Sequence, residues 1–497
     1  MRQSGILMHI TSLPGKYGIG SMGKQAYAFV DFLKAAGQSC WQILPLSPTG
    51  YGDSPYQSCS SFAGNPYLID LDMLVEEGLL LPGEPDEIIW SYNDRVDYGI
   101  QYNNRTNLLR KAYGRFTGSE AFEQFRMENS AWLSDFCLFL ALKAHTGGKP
   151  WYEWENDLKH RQPDAIWQAR QQFQDEIRFY SFVQFLFFRQ WSALHAYAGQ
   201  NGISIIGDVP IYVPLDSVDV WANPELFQLD ETLAPTAVAG CPPDYFSEDG
   251  QLWGNPLYRW DLMKKDGFAW WVRRMAAAGR LYDVIRMDHF RGFEAFWSVP
   301  YGDTTARNGK WVKGPGMDLI GTLQKQLPHL SFIAEDLGFM TPEVLALRDD
   351  SGLPGMKVIG FAFDSREPSE YLPHNHVPNA VCYTGTHDNM TTRQWLENAS
   401  ADALAYAKEY MCLNETEGLV WGMIRTAMST VCDTCIIPMP DYLNLGGEAR
   451  MNFPGTLSLA NWTWRANADC MDPALAAKIR NLTTLYGRLG KQQKTNG

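Results

Sequence analysis

Residues 281–297, LYDVIRMDHFRGFEAFW, place an arginine and an aspartate two positions apart where a short strand is predicted to end. Residues 282–287 predict this strand because they include β-branched and aromatic side chains. Side chains alternate between the faces of a strand, so Arg286 and Asp288 project from the same face. A neighbouring guanidinium favours the ionised form of a carboxylate. Asp288 is therefore either a nucleophile or half of a structural ion pair that caps the strand.

Two other acids, Glu335 and Asp388, also follow predicted strands. Glu335 comes after an apolar run, and apolar surroundings raise the pKa of a carboxyl group, as a general acid requires. Asp388 follows His387 and could hold sugar hydroxyls more tightly in a transition state than in the ground state. Chemistry at a glycosidic bond uses two carboxyl groups that flank the bond. Three acids could instead bind a metal ion, but the fixed positive charge of Arg286 argues against that alternative.

Eight short apolar runs predict the strands that carry these acids, at residues 5–11, 39–46, 203–209, 282–287, 331–334, 356–363, 380–384 and 435–439. Six of the runs end in or near a carboxylate, at Asp208, Asp288, Glu335, Asp364, Asp388 and Asp441. Eight parallel strands form a (β/α)8 TIM barrel, whose active site gathers at the carboxyl ends of the strands. The sequence therefore predicts an α/β protein of this class with long active-site loops.

The remaining pattern is helical. Apolar residues at helical spacing predict a helix over 26–36. Residues 86–199 are rich in charge, glutamine and aromatics, and we expect a large, mainly helical insertion there. We expect residues 1–497 to form a single catalytic domain that contains this insertion.

Composition excludes several classes of function. The net charge of −14 argues against nucleic acid or an anionic membrane as the main partner. The sequence has no apolar run long enough to span a membrane and its first residues lack a signal-peptide pattern, so we expect a cytoplasmic protein. Nine scattered cysteines suggest reduced thiols, and the lone C-x-x-C at 432–435 is weak evidence for a metal or redox site. The G-x-G-x-x-G at 18–23 is a poor dinucleotide motif, because it does not follow a strand directly.

Motifs along nearly the whole chain resemble those of the 4-α-glucanotransferase family, also called amylomaltases or disproportionating enzymes, of the α-amylase clan. They include SLP at 12–14, WQILPL at 41–46, GDSPYQ at 52–57, GDVP at 207–210, DVWA at 219–222, PPDYFS at 242–247, GQLWGNP at 250–256, RMDHFRG at 286–292, AEDLG at 334–338, THDN at 386–389, RMN at 450–452, PGT at 454–456 and NW at 461–462. The number and order of these motifs make chance agreement negligible.

The resemblance implies a role for each matching residue. Asp288 would be the nucleophile, Glu335 the acid/base and Asp388 the stabiliser of the transition state. The donor sugar would be held by Ser54, Tyr56, Asp208, Gln251, Trp253, Arg286, His387 and Asn461. Tyr245 and Phe246 would lie on a loop over the acceptor side.

The same resemblance implies transfer of α-1,4-glucan segments to the 4-hydroxyl of another glucan, with retained configuration and with neither cofactor nor metal. Donors and acceptors would be maltooligosaccharides and glucose, and the oligomeric state is not predicted. An α-1,4-glucan hydrolase would carry the same three acids and differ in the access of water. A non-catalytic glucan-binding protein should have lost at least one acid, and all three are present.

Overall fold

The structure is a computed structural model that describes residues 2–90, 94–243, 248–338, 340–363 and 369–490. The strands of the described residues are β1 (Gln3–Leu7), β2 (Cys40–Gln42), β3 (Ser204–Val209), β4 (Ala237–Cys241), β5 (Gln251–Pro256), β6 (Val284–Met287), β7 (Ala295–Pro300), β8 (Lys310–Lys313), β9 (Ser331–Ala334), β10 (Gly355–Val358), β11 (Ala380–Tyr383) and β12 (Thr434–Pro438).

Eight of these strands form one parallel sheet in the order β10-β11-β12-β1-β2-β3-β6-β9. The two outer strands of this order approach each other, since the backbone N–H of Ala334 in β9 donates to the carbonyl of Pro354 just before β10, at 2.9 Å. The sheet thus curls into a nearly closed barrel, and the predicted (β/α)8 class is confirmed.

Each predicted apolar run overlaps one barrel strand, but several of the runs extend beyond the end of the strand. The first was predicted over 5–11, yet β1 ends at Leu7 and Ile10–Ser12 forms a short 3-10 helix. The run at 356–363 likewise passes from β10 into a 3-10 helix over Ile359–Phe361. The first turn is buried, and in the second turn Ile359 is buried while Phe361 is 42% exposed. Apolar composition thus continues after the ladder of backbone hydrogen bonds has stopped.

A second sheet, which the sequence did not predict, has the antiparallel order β5-β4-β7-β8. It follows barrel strands β3 and β6, so it lies at the end of the barrel where the strands finish. Strand β4 connects through residues 242–250 to β5, and β7 begins directly after the short helix that follows β6. We call these four strands the small sheet.

The helices of the described residues are α1 (Lys24–Ala35), α2 (Leu71–Glu76), α3 (Tyr98–Arg115), α4 (Glu120–Glu128), α5 (Ser130–His145), α6 (Asn156–Lys159), α7 (Pro163–Gln172), α8 (Gln174–Gln200), α9 (Val218–Ala222), α10 (Trp260–Lys265), α11 (Ala269–Ala278), α12 (Arg291–Glu294), α13 (Met317–Gln326), α14 (Pro342–Ser351), α15 (Thr392–Asn398), α16 (Ala401–Met411), α17 (Leu419–Ser429), α18 (Met439–Tyr442) and α19 (Pro473–Leu485). In this part of the chain, none of them is both long and apolar enough to cross a membrane.

The region 86–199 is largely helical, and its last helix also belongs to the barrel wall. Helices α3 to α8 fill most of the region. The indole of Trp191 in α8 donates to the carbonyl of Leu281 at 3.2 Å, and His195 lies 3.1 Å from Asp283, next to β6. The treatment of 86–199 as a separate insertion within one catalytic domain stays a prediction.

Candidate active site

Two of the three candidate acids lie side by side at the carboxyl end of the barrel. Strands β6 and β9 are paired with Met287 opposite Ala334, so Asp288 and Glu335 are the next residues on neighbouring strands. The backbone N–H of Glu335 donates to the carbonyl of Met287 at 3.1 Å. Asp388 comes from the loop that follows β11. The parallel register alone therefore brings the candidate nucleophile and the candidate acid together.

Arg286 joins two carboxylates inside the barrel. Its Nη1 lies 2.7 Å from Oδ2 of Asp208 on β3 and 2.8 Å from Oδ1 of Asp288. The guanidinium side chain is 4% exposed and that of Asp208 is 1% exposed, whereas Asp288 retains 26%. The ion pair predicted from sequence is thus present, and it also leaves part of Asp288 open to the cleft. A structural pairing and a nucleophilic role are compatible here.

Asp208 is the buried member of this group. Its Oδ2 accepts a hydrogen bond from the hydroxyl of Tyr56 at 2.8 Å. Its Oδ1 is buried and has no hydrogen-bond partner among the described atoms. Burial raises the pKa of Asp208, and the positive charge of Arg286 opposes that change. An unpaired buried carboxylate oxygen is costly, and a substrate hydroxyl would satisfy it.

Glu335 has the surroundings of a general acid. Its Oε2 accepts the backbone N–H of His289 at 2.7 Å, and its Oε1 accepts that of Leu337 at 3.1 Å. Burial raises the pKa of Glu335 well above its ordinary value, and the nearby charge of Asp288 adds to this, while Arg286 opposes it. The carboxyl group therefore holds its proton to higher pH than an exposed glutamate does.

The hydrogen bond from the backbone N–H of His289 to Glu335 accompanies an unusual backbone conformation, which was not predicted from the sequence. His289 has a φ of +47°, in the left-handed region that costs non-glycine residues energy. This conformation turns the chain directly after Asp288 and accompanies the bond from the His289 N–H to Glu335. His289 was part of the quoted RMDHFRG motif, but no periodicity reveals a positive φ.

Asp388 is oriented by a residue 64 positions away in the sequence. The side-chain amide of Asn452 donates to Oδ1 of Asp388 at 2.6 Å, and Nη2 of Arg450 donates to the backbone carbonyl of Asp388 at 2.9 Å. Nε2 of His387 lies 3.4 Å from the other carboxylate oxygen. No role was predicted for Asn452 and Arg450, although both belong to the RMN motif. Their contact with Asp388 makes them positioning residues.

Aromatic side chains stand around the acids. The ring of Tyr56 stacks on His387, with centroids 5.2 Å apart and planes 13° apart. Trp253 on β5 meets His289 edge-on at 4.9 Å, and its indole N–H donates to Oε1 of Gln251 at 3.1 Å. The small sheet thereby supplies one wall of the site and contacts the residue that follows Asp288.

Other predicted residues hold the surrounding loops. Oγ of Ser54 accepts the backbone N–H of Tyr56 at 3.2 Å, which shapes the turn leading to the Asp208 contact. The amide of Asn461 accepts from the backbone N–H of Phe453 at 3.1 Å and donates to the carbonyl of Thr456 at 3.0 Å. Asp441, another acid near a strand end, is bound by Thr384 and by Thr392 inside the protein.

Three predicted residues lie outside the described residues, namely Tyr245, Phe246 and Asp364. Within the described ranges, no cluster of three or more histidine, cysteine or acidic side chains is arranged to hold a metal ion. The thiols of Cys40, Cys137, Cys382, Cys432, Cys435 and Cys470 are buried.

Comparison with known proteins agrees with this geometry. Residues 8–470 match the family model described as 4-alpha-glucanotransferase. The chain is 50% identical to a 4-alpha-glucanotransferase of Clostridium butyricum, over 97% of this chain and 100% of that one, and 47% identical to one of Thermus thermophilus, over 98% and 99%. The solved amylomaltase of Streptococcus agalactiae in complex with acarbose is 41% identical, with a TM-score of 0.96 over 99% of this chain and 100% of that one. The chain belongs to the 4-alpha-glucanotransferase family.

Proposed function

We propose that this protein is a 4-α-glucanotransferase that moves segments of α-1,4-glucans to the 4-hydroxyl of an acceptor glucan or of glucose. The observation that carries the proposal is the adjacency of Asp288 and Glu335, the first buried only in part and the second raised in pKa by burial. A retaining mechanism requires two carboxyl groups, one that attacks the sugar and one that gives a proton to the leaving group. A cytoplasmic location is part of this proposal.

The first step of the proposed reaction breaks the donor bond. Asp288 attacks the anomeric carbon of the donor sugar while Glu335 gives its proton to the departing glycosidic oxygen. The product is a glycosyl ester on Asp288, and the reducing-end fragment of the donor leaves. Such a mechanism needs the two carboxyl groups about 5–5.5 Å apart.

The second step reverses the roles. Glu335, now ionised, takes the proton of the acceptor 4-hydroxyl as that oxygen attacks the anomeric carbon, and the ester bond to Asp288 breaks. Two inversions give overall retention. Asp388, held by Asn452 on one side, would bind hydroxyls of the distorted sugar ring in both transition states.

The donor sugar is proposed to lie among Arg286, Asp208, Tyr56, His387 and Trp253. Arg286 and Tyr56 already bond Asp208, so the sugar would enter a preorganised polar network and would not have to assemble one. Ser54, Gln251 and Asn461 would act mainly through the loops and the indole that they hold in place.

Transfer to a sugar must compete with water at about 55 M, so the acceptor needs accurate positioning, which can supply effective molarities of about 10⁵ M or more. Tyr245 and Phe246 on the 241–250 loop are proposed to hold the acceptor ring. An alternative role for these aromatics is to anchor the loop. Ala substitutions at either position should then leave the ratio of hydrolysis to transfer unchanged, whereas acceptor binding predicts a higher ratio.

Incubation with maltotriose and chromatography of the products tests the proposed activity. Longer oligomers together with glucose mean transfer. Maltose and glucose alone would mean hydrolysis, and unchanged maltotriose would support a binding protein. The Asp288→Asn variant is the matched control, because its amide is nearly isosteric but is a poor nucleophile.

A further inference from the structure

The small sheet exposes a tryptophan close to the catalytic segment. Trp311 lies on the outer strand β8 and is 38% exposed, whereas Trp297, directly opposite on β7, is partly buried. Their ring centroids are 5.1 Å apart and their planes meet at 68°. Single exposed apolar side chains are common on protein surfaces, so what distinguishes Trp311 is the way its ring is held.

The ring of Trp311 is held by two neighbouring side chains. The guanidinium of Arg291 stacks on the ring, 3.9 Å from its centroid. The second neighbour, Trp297, packs against Trp311 at a steep angle. The indole N–H of Trp297 donates to the carbonyl of Ala306 at 2.8 Å. Trp311 is therefore held rigidly between a cation and a second indole, with its remaining surface open. A rigid aromatic surface binds a ligand with little loss of side-chain entropy.

The same tryptophan is tied to the catalytic strand. Arg291 begins helix α12, three residues after Asp288. The chain that follows β8 bonds back to that helix, since the N–H of Gly314 donates to the carbonyl of Glu294 at 2.7 Å. Trp311 is thus connected to Asp288 through Arg291 and the short helix α12.

The aromatic pair also adjoins the described end of the 241–250 loop. The N–H of Ala306 donates to the carbonyl of Asp249 at 2.9 Å, and Nε of Arg307 lies 2.7 Å from the carboxylate of Asp249. The segment 305–309 therefore contacts both Trp297 and the end of that loop that lies next to β5. Through Trp297, Trp311 is thus linked to Asp249, at the described end of the loop that is proposed to hold the acceptor.

We propose that Trp311 is an outer acceptor subsite, on which a glucosyl unit of an acceptor α-1,4-glucan stacks when the chain is several units long. A glucose ring offers a face of C–H groups that packs on an aromatic face. The indole is partly exposed and is held by Arg291, three residues after Asp288. This inference rests on the proposed glucanotransferase function. It assigns a residue that sets the preferred length of the acceptor and leaves the bond-forming site unchanged.

The test uses α-maltosyl fluoride as the donor, with glucose or maltohexaose as the acceptor. Trp311→Ala should lower kcat/KM for maltohexaose about five- to tenfold, the factor that an aromatic contact of this kind supplies, and should leave kcat/KM for glucose unchanged. Trp311→Tyr should retain most of the preference. Trp167→Ala is the matched control, because Trp167 is 64% exposed on α7.

Two results would overturn the subsite. An unchanged preference in Trp311→Ala would mean that the ring touches no acceptor, and equal losses with both acceptors would mean that it only supports Arg291 and the catalytic segment. Failure of the underlying function is distinguishable, because the parent enzyme would then form no transfer product with either acceptor.

Discussion

At the scale of single residues, Asp288 and Glu335 receive opposite treatment from the same fold. Asp288 has a guanidinium partner, while Glu335 accepts two backbone N–H groups and has its pKa raised by burial. A difference in environment between two neighbouring carboxyl groups is what separates a nucleophile from an acid. The predictions at this scale test that separation.

The first prediction is a covalent adduct on Asp288. In the Glu335→Gln variant, a substrate with an activated leaving group such as α-maltosyl fluoride should still form the glycosyl ester, because fluoride departs without a proton. Without the acid/base, the ester should persist when no acceptor is added. Mass spectrometry of a peptic digest should find the sugar on the peptide that contains Asp288. An adduct on another carboxylate would contradict the assignment.

The second prediction concerns pH. The general acid must be protonated, and burial raises the pKa of Glu335 well above its ordinary value of 4.5. The kcat/KM for maltotriose should therefore persist well above pH 4.5 and fall as the pH rises through the raised pKa. Glu335→Gln acting on α-maltosyl fluoride should lack this alkaline fall. Persistence of the same fall in the variant would assign it to another group.

The third prediction concerns Asn452, a neutral residue whose side-chain amide donates a hydrogen bond to Asp388. Asn452→Ala removes a short hydrogen bond to a carboxylate, and such bonds contribute about 1.5–3 kcal/mol. We expect kcat to fall about ten- to a hundredfold, with a smaller change in KM. Asn452→Asp should be worse, because it replaces the donor with a like charge beside Asp388. A rise in KM with kcat unchanged in Asn452→Ala would instead indicate a role in binding the substrate.

At the scale of secondary-structure elements, close packing of strands on side chains fixes the positions of the acids. Gly207 precedes Asp208 on β3, and a methyl group added there would lie 2.1 Å from the ring of Tyr282. That ring is buried, and its hydroxyl accepts the backbone N–H of Leu46 at 3.1 Å. Neither partner can move freely, so the strand needs glycine at this position.

Gly207→Ala should accordingly lower both stability and activity. Overpacking of a core costs about 1–3 kcal/mol, and displacement of Asp208 would loosen its bonds to Arg286 and Tyr56. Gly199→Ala in α8 is the control, because an added methyl there meets nothing within 4 Å and alanine favours helix. Thermal midpoints measured at one scan rate should fall for the first variant and stay level or rise for the second.

How much of this element arrangement could be predicted depends on the range of the interactions. The eight barrel strands were predictable because each is a short apolar run, and the acids because they follow those runs. The small sheet was missed, since its outer strand β8 carries exposed residues such as Lys310 and Trp311 without clear alternation. Asn452 was missed because its contact with Asp388 joins distant loops. The left-handed φ of His289 leaves no signal in residue type.

At the scale of the whole molecule, β1 lies between β2 and β12, so the first strand of the chain is completed by one of the last. Gln3 in β1 is paired with Thr434. During synthesis at about 5–20 residues per second, the open edge of β1 must wait roughly 20 seconds to a minute and a half for its second neighbour. Unpaired strand edges aggregate.

Chains that stop at residue 430 should therefore be largely insoluble on expression, while the full chain should be soluble, as judged by centrifugation of freshly translated protein. A soluble, compact 1–430 fragment would mean that the nascent chain protects this edge in another way.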